Sequence, residues 1–376
     1  MKGRRLALVL LAAGILAGVA YALIAPRGSE EIGKIAFVQA PRDRGVDQIF
    51  VVNADGSGLT SLGEGYDPVW SPDGKRIAFT AYVRVDDRDM NEIHVANPDG
   101  SGLTNLGEGA GPAWSPDGQR IVFTRGGAPH LVEPGIYIIS ADGSGLSRLI
   151  TSNVGGPRWS PDGQRIAFIT VLDGRGELQV IDADGSGLTR LAASEGQPTW
   201  SPDGQRIAFV KNLEDGGELQ VINADGSGLT RLGASGDQPA WSPDSRRIAF
   251  VSSPGSEIQV INADGSGTRP LATYGAWPAW SPDGRRVAFI SVGDGQIHVI
   301  NANGSHETRV SDHEVVEGRF PIAEGGWPVW APDSRRIAYA LAREGGREIF
   351  VVNTDGSGLT RVAEGAWPVW SPAPRK

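Results

Sequence analysis

The chain has no cysteine among its 376 residues. That excludes disulfides, thiol chemistry and a lipid-modified N-terminal cysteine, although it does not fix the compartment. Basic charge is in deficit: 35 Lys and Arg stand against 44 Asp and Glu, a net charge of −9, with no basic stripe. Nucleic acid and anionic membrane are therefore disfavoured as main partners. Long helical patterns are missing after the N-terminal segment, and no Gly-x-Ser-x-Gly nucleophile elbow occurs.

What the chain has in excess is glycine and proline, 53 and 25 residues, as frequent turns demand. One turn returns along the whole length. Trp-Ser-Pro-Asp-Gly, or a close variant, begins at Trp70, Trp114, Trp159, Trp200, Trp241, Trp280, Trp330 and Trp370. A period of about 40 residues with four short strand patterns per unit predicts a β-propeller.

The unit from Trp200 to Ala240 shows the logic. Pro198-Thr199-Trp200 is a short apolar strand, a. Ser201-Pro202-Asp203-Gly204 turns the chain: Pro presets φ, Asp bonds the backbone ahead of it, and Gly accepts φ > 0. Arg206-Ile207-Ala208-Phe209-Val210 is strand b, and Leu219-Gln220-Val221-Ile222 alternates as strand c. Asp225-Gly226-Ser227-Gly228 is a hairpin turn into the outer strand d, Thr230-Arg231-Leu232. The recurring Trp and Asp residues are framework: the Trp wedges neighbouring sheets, and the Asp forms turns.

Strand a and strand b each occur eight times. Asp-Gly-Ser-Gly occurs seven times, with Asn303-Gly304-Ser305-His306 as an eighth, variant copy. The elements are out of phase with the chain ends, so residues 34–62 supply b, c and d while residues 366–371 supply a. The expected fold is all-β, an eight-bladed β-propeller of four-stranded antiparallel blades. Its ring would close by pairing the N-terminal strands b-c-d with the C-terminal strand a, leaving no exposed sheet edge. Residues 33–372 form one domain, after a segment 1–25 and a linker 26–32 and before a tail 373–376.

Pro-x-Trp-Ser-Pro-Asp-Gly-x-Arg-Ile-Ala-Phe, followed by Ile/Leu-x-Val and Asp-Gly, resembles the WD40-like PD40 repeat of TolB-like β-propellers. It is also similar to the propellers beside the hydrolase domain in prolyl-oligopeptidase-type and tricorn-like proteases. The resemblance spans about nine-tenths of the chain. TolB itself carries an α/β domain before its propeller, and residues between Ala25 and Ile35 leave no room for one. The resemblance therefore implies an exported, stand-alone propeller that works by binding.

Lys2, Arg4 and Arg5 precede an uncharged apolar stretch from Leu6 to Ala25, about the length that crosses a bilayer. Residues 1–25 are thus expected to be a membrane anchor, or a signal peptide cut near Ala20-Tyr21-Ala22. Either way the propeller is exported: membrane-anchored, periplasmic or extracellular.

The a–b and c–d turns share one face of the ring and are nearly identical in every repeat. The b–c and d–a loops share the other face and vary, so specialisation is expected there. Trp277, Trp327 and Trp367 precede the strand-a Pro in three successive repeats, where the others hold Asp67, Gly111, Gly156, Gln197 and Gln238. An arc of Trp at the channel mouth can hold a protein, a peptide or a sugar, or it can be packing. Tyr66, Asp67, Gln197 and Gln238 join it as candidate partner-binding residues.

The long loop 303–326 carries His306, His313, Glu314, Glu317 and Phe320, but at no strong metal spacing. The variable face also carries acids: Glu64, Asp86, Asp87, Asp89, Glu92, Glu108, Glu195, Asp237, Glu324 and Glu364. The Asp-Gly-Ser-Gly turns lack the closing Glu of a calcium loop. His94 and His298 are read as strand residues. No catalytic residue, metal or cofactor is assigned.

The leading expectation is a non-enzymatic, monomeric propeller that binds a protein or peptide on its variable face. The alternatives are a propeller that binds or cleaves carbohydrate, and an accessory subunit for a separately encoded hydrolase.

Overall fold

The structure is a computed structural model and describes residues 33–40, 45–85, 88–126, 133–152, 154–172, 175–194, 196–213, 216–252, 255–312, 326–343 and 346–373. The apolar segment 1–25, the linker and the tail's residues 374–376 lie outside the described residues. Among those described, no helix is long and apolar enough to cross a membrane. The described residues are all-β, built of antiparallel sheets. Four sheets have four strands each, and two have seven.

The seven-stranded sheets arise because strands d and a are continuous in two places, Thr60–Trp70 and Thr230–Trp241. Each of these strands pairs with strand c of its own repeat at one end and with strand b of the next at the other. The C-terminal strand Ala366–Trp370 pairs antiparallel with the N-terminal strand Lys34–Gln39, as the phase of the repeats predicts.

Strand b is Ile-Ala-Phe or a near equivalent, and both of its faces are covered. Ile35, Ala36, Phe37, Ile207, Ala208 and Phe209 have no exposed surface. A continuous apolar run fits a strand sandwiched between neighbouring sheets. Between those sheets sits the framework Trp. Trp114 donates its indole N–H to Val69 O at 3.1 Å, in the preceding repeat. The guanidinium of Arg76, also from that repeat, lies 4.8 Å from the Trp114 ring. Arg76 donates as well to Gly118 O at 3.2 Å. All eight framework Trp are such wedges, and seven of them carry an Arg guanidinium over the ring.

The turn residues behave as read. Ser201 is fully buried, donates to Asp203 Oδ1 at 2.5 Å and accepts the Arg206 N–H at 2.9 Å. In the c–d turn, Ser227 donates to Asp225 Oδ1 at 2.6 Å. The Asp side chains are consumed by the turns they form.

Candidate functional site

The position before the strand-a proline is set by a β-bulge that the sequence reading did not foresee. In six of the a–b pairings the register slips by one residue there. Ala276 pairs with Ile290 and Ala279 with Ala288, so Trp277 and Pro278 together face the single residue Phe289. Proline has no N–H to give to the ladder, which makes it a natural bulge residue. In five repeats its predecessor takes a left-handed backbone: φ is 57° at Asp67, 63° at Gly111, 54° at Gln238, 50° at Trp277 and 52° at Trp367. Such a backbone at a side-chain-bearing residue costs about 1 kcal/mol or more, and such costs gather at functional positions. Two residues upstream, glycine admits strand a close to strand b. A Cβ at Gly109 would stand 2.3 Å from Phe123 Cδ2.

The pre-proline position is aromatic in three successive repeats. The Trp277 and Trp327 rings lie 6.1 Å apart, tilted by 33°. Trp277 is 40% exposed, while Trp327 and Trp367 are half-buried against the core that contains Val329 and Trp370. Trp367 is capped by Arg347, whose guanidinium is 5.0 Å from the ring. The predicted arc is therefore one open face, Trp277, backed by two partly packed ones.

The other repeats hold polar residues or glycine at this position. Gln238 Oε1 accepts the Trp277 N–H at 2.7 Å, which joins the aromatic and polar positions. Gln197 Oε1 accepts from Arg158 Nη2 at 2.9 Å. Arg158 also donates to Pro157 O at 3.3 Å, and no carboxylate among the described residues lies within salt-bridge reach of it. Burial pulls the Arg158 pKa down, with Asp67 opposing. Asp67 Oδ1 is buried and has no hydrogen-bond partner. Burial pushes the Asp67 carboxyl up to about 6, with Arg158 opposing. Between these two residues in repeat order stands Gly111, where a Cβ would meet nothing within 4 Å. Tyr66 leans on Tyr82, ring centroids 5.1 Å apart, and burial foremost raises its phenol to about 12.

Arg158 was missed by the sequence reading, although its signal was there. It fills the x of Pro-x-Trp, where the other repeats hold Val69, Ala113, Thr199, Ala240, Ala279, Val329 and Val369. Tyr274, in the d–a loop before Trp277, is 63% exposed and was also missed. So was Arg347, which only the fold brings over Trp367.

The remaining candidates do not gather into a site. Asp86, Asp87, Glu195, Glu324, His313, Glu314, Glu317 and Phe320 lie outside the described residues. His306 takes φ 54° in the variant turn, a position that Gly fills in the other copies. His94 meets Glu92 at 3.1 Å, and His298 lies between Asp294 at 3.0 Å and Glu307 at 2.8 Å. No group of three or more His, Cys, Asp or Glu among the described residues is arranged to hold a metal.

Solved structures share the fold at low identity. The dihydro-heme d1 dehydrogenase NirN in complex with DHE aligns with a TM-score of 0.63 at 16% identity, over 92% of this chain and 76% of that one. An oligogalacturonate lyase in complex with manganese aligns at 0.57 and 17%, over 85% and 97%. The β-propeller domain of the Trilobed protease from Pyrococcus furiosus aligns at 0.53 and 12%, over 80% and 97%. No curated protein matches the chain. The family model of the TolB beta propeller domain, PD40, matches residues 150–274 and 238–375, more than half of the sequence. The chain belongs to the TolB β-propeller family.

Proposed function

We propose that this chain is an exported binding propeller without catalytic activity, and that its partner seats over the channel mouth on the variable-loop face. We further propose that it is a closed ring of eight blades. The pairing of the two chain ends supports closure. So does the chain of indole bonds, which runs on from Trp370 to Val329 O and from Trp70 to Val369 O. The basic flank and apolar run of residues 2–25 support export.

The observation that carries the binding reading is Trp277. It is a large indole left 40% exposed, held in a left-handed bulge and backed by a second Trp. Framework Trp residues of the same chain are all under 10% exposed, so packing does not account for it. Exposed, rigidly held aromatics are the anchors of recognition surfaces. A protein or peptide loop, or a glycan, can use such an anchor. Binding rather than turnover is favoured because the recurrent Asp residues serve the turns.

The test compares wild type with Trp277→Gly, both checked as folded, for capture from envelope extract with identification by mass spectrometry. A partner held by the wild type and lost by the variant is the expected result. Equal capture would remove the mouth as the site, and turnover of any substrate by the purified chain would end the non-enzyme reading.

A further inference from the structure

We infer that the mouth takes a neutral saccharide unit, hydrogen-bonded between Asp67 and Arg158 and stacked on Trp277. This rests on the channel mouth being the binding site.

Asp67 and Arg158 are opposite charges close enough to act on each other, yet they are not bonded to each other. Asp67 Oδ1 is buried without a donor, and Arg158 has neutral acceptors only. A buried polar atom without a partner is costly, so a ligand group that bonds both would relieve it. Gly111, between them in repeat order, has open space where a side chain would stand. A hydroxyl donates to a carboxylate and accepts from a guanidinium, so one hydroxyl or a vicinal pair completes both. A net charge on the ligand would be repelled by one of the two, which points to a neutral molecule.

The rest of the ring fits the same occupant. Gln238 Oε1 is taken by the Trp277 N–H, which leaves its two amide N–H groups to donate elsewhere. Trp277 presents an indole face to whatever enters. A sugar ring has hydroxyls at its edge and a C–H face for the indole, and the mouth is divided in the same way. An apolar side chain from a protein would satisfy the indole alone and would bury Asp67 and Arg158 further without bonds.

Substitutions that the fold already accepts allow a clean test. Asp67→Gly and Trp277→Gly copy Gly111 at the same bulge, and Arg158→Ala copies Ala113, Ala240 and Ala279. The full chain in detergent would be applied to an array of neutral and uronate-containing oligosaccharides, with affinities measured for those retained. The expected result is retention of at least one neutral oligosaccharide. Asp67→Gly and Arg158→Ala should each weaken it roughly tenfold or more, and Trp277→Gly should abolish it.

The inference is overturned if no glycan is retained, if only uronates are, or if Asp67→Gly and Arg158→Ala bind as the wild type does. Should the array stay empty while Trp277→Gly loses a protein from envelope extract, the mouth is the site and its ligand is a protein. Should Trp277→Gly change neither, the site reading falls as well.

Discussion

Trp70 donates its indole N–H to the carbonyl of Val369 at 3.0 Å, across 299 positions of sequence. The same bond joins each framework Trp to the strand-a carbonyl of its neighbour, but here it joins the two ends of the chain. A contact this distant in sequence holds a repeat array in a way that nearest-neighbour contacts cannot.

Removal of residues 366–376 should therefore cost far more than an exposed tail would. The strand Ala366–Trp370 pairs with Lys34–Gln39, and its Trp370 is 4% exposed. Trp370→Ala alone should lose about 3–5 kcal/mol, as large aromatic deletions in cores do. Truncation should lose more and expose a sheet edge. Thermal melts and sedimentation measure both. A truncated chain that melts with the wild type would contradict closure.

The two kinds of Ser in the repeat should separate by burial. Ser201→Ala removes a buried hydroxyl that serves Asp203 and the Arg206 N–H, and should lose about 1–3 kcal/mol. Ser227→Ala removes an exposed hydroxyl in the c–d turn and should stay within about 0.5 kcal/mol. Chemical denaturation of the pair decides it; equal losses would mean that the two turns are not distinguished by burial.

Asp67 gives a pH dependence of unusual sign for a carboxylate. Its folded pKa is raised from 3.8 to about 6 by burial, so between these values the folded state holds more proton than the unfolded state. Stability from this group is full below the unfolded value and declines as pH rises through the folded one. Asp67→Asn should melt above the wild type at pH 7.5, by about 1–3 kcal/mol, and equal to it near pH 4. An Asn variant less stable at pH 7.5 would show that the carboxylate is paired after all.

Much of this was legible in the sequence, because each repeat must solve the same packing problem. Trp70, Ser71, Asp73 and Gly74 recur because the wedge and its turn recur, and the structure places them as the repeat predicts. The phase of the repeats also foretold the pairing of Ala366–Trp370 with Lys34–Gln39. The bulge was not legible. A proline in an a strand reads as a strand residue at an edge, and only the register shows that it and its neighbour face one Phe. Arg158 escaped for a different reason. It is a lone departure at a position that otherwise holds small or β-branched residues, and its influence on Asp67 links strands 91 residues apart. Such long-range proximity has no local signature.

The bulge makes a last prediction that reverses an ordinary preference. At φ 50°, Trp277 sits where an L side chain is strained and glycine is not. Trp277→Gly should therefore be more stable than Trp277→Ala by about 1 kcal/mol, although Ala exceeds Gly at most strand positions. Trp280, three residues on, has no such backbone. It is 8% exposed, donates to Ala240 O at 3.1 Å and lies under Arg247 at 4.8 Å. Trp280→Ala should lose about 3–5 kcal/mol, against a far smaller loss for Trp277→Gly. Denaturation curves of the three variants test both statements. If Trp277→Gly unfolds as readily as Trp280→Ala, then Trp277 is a framework residue like the other eight, and the mouth loses its anchor.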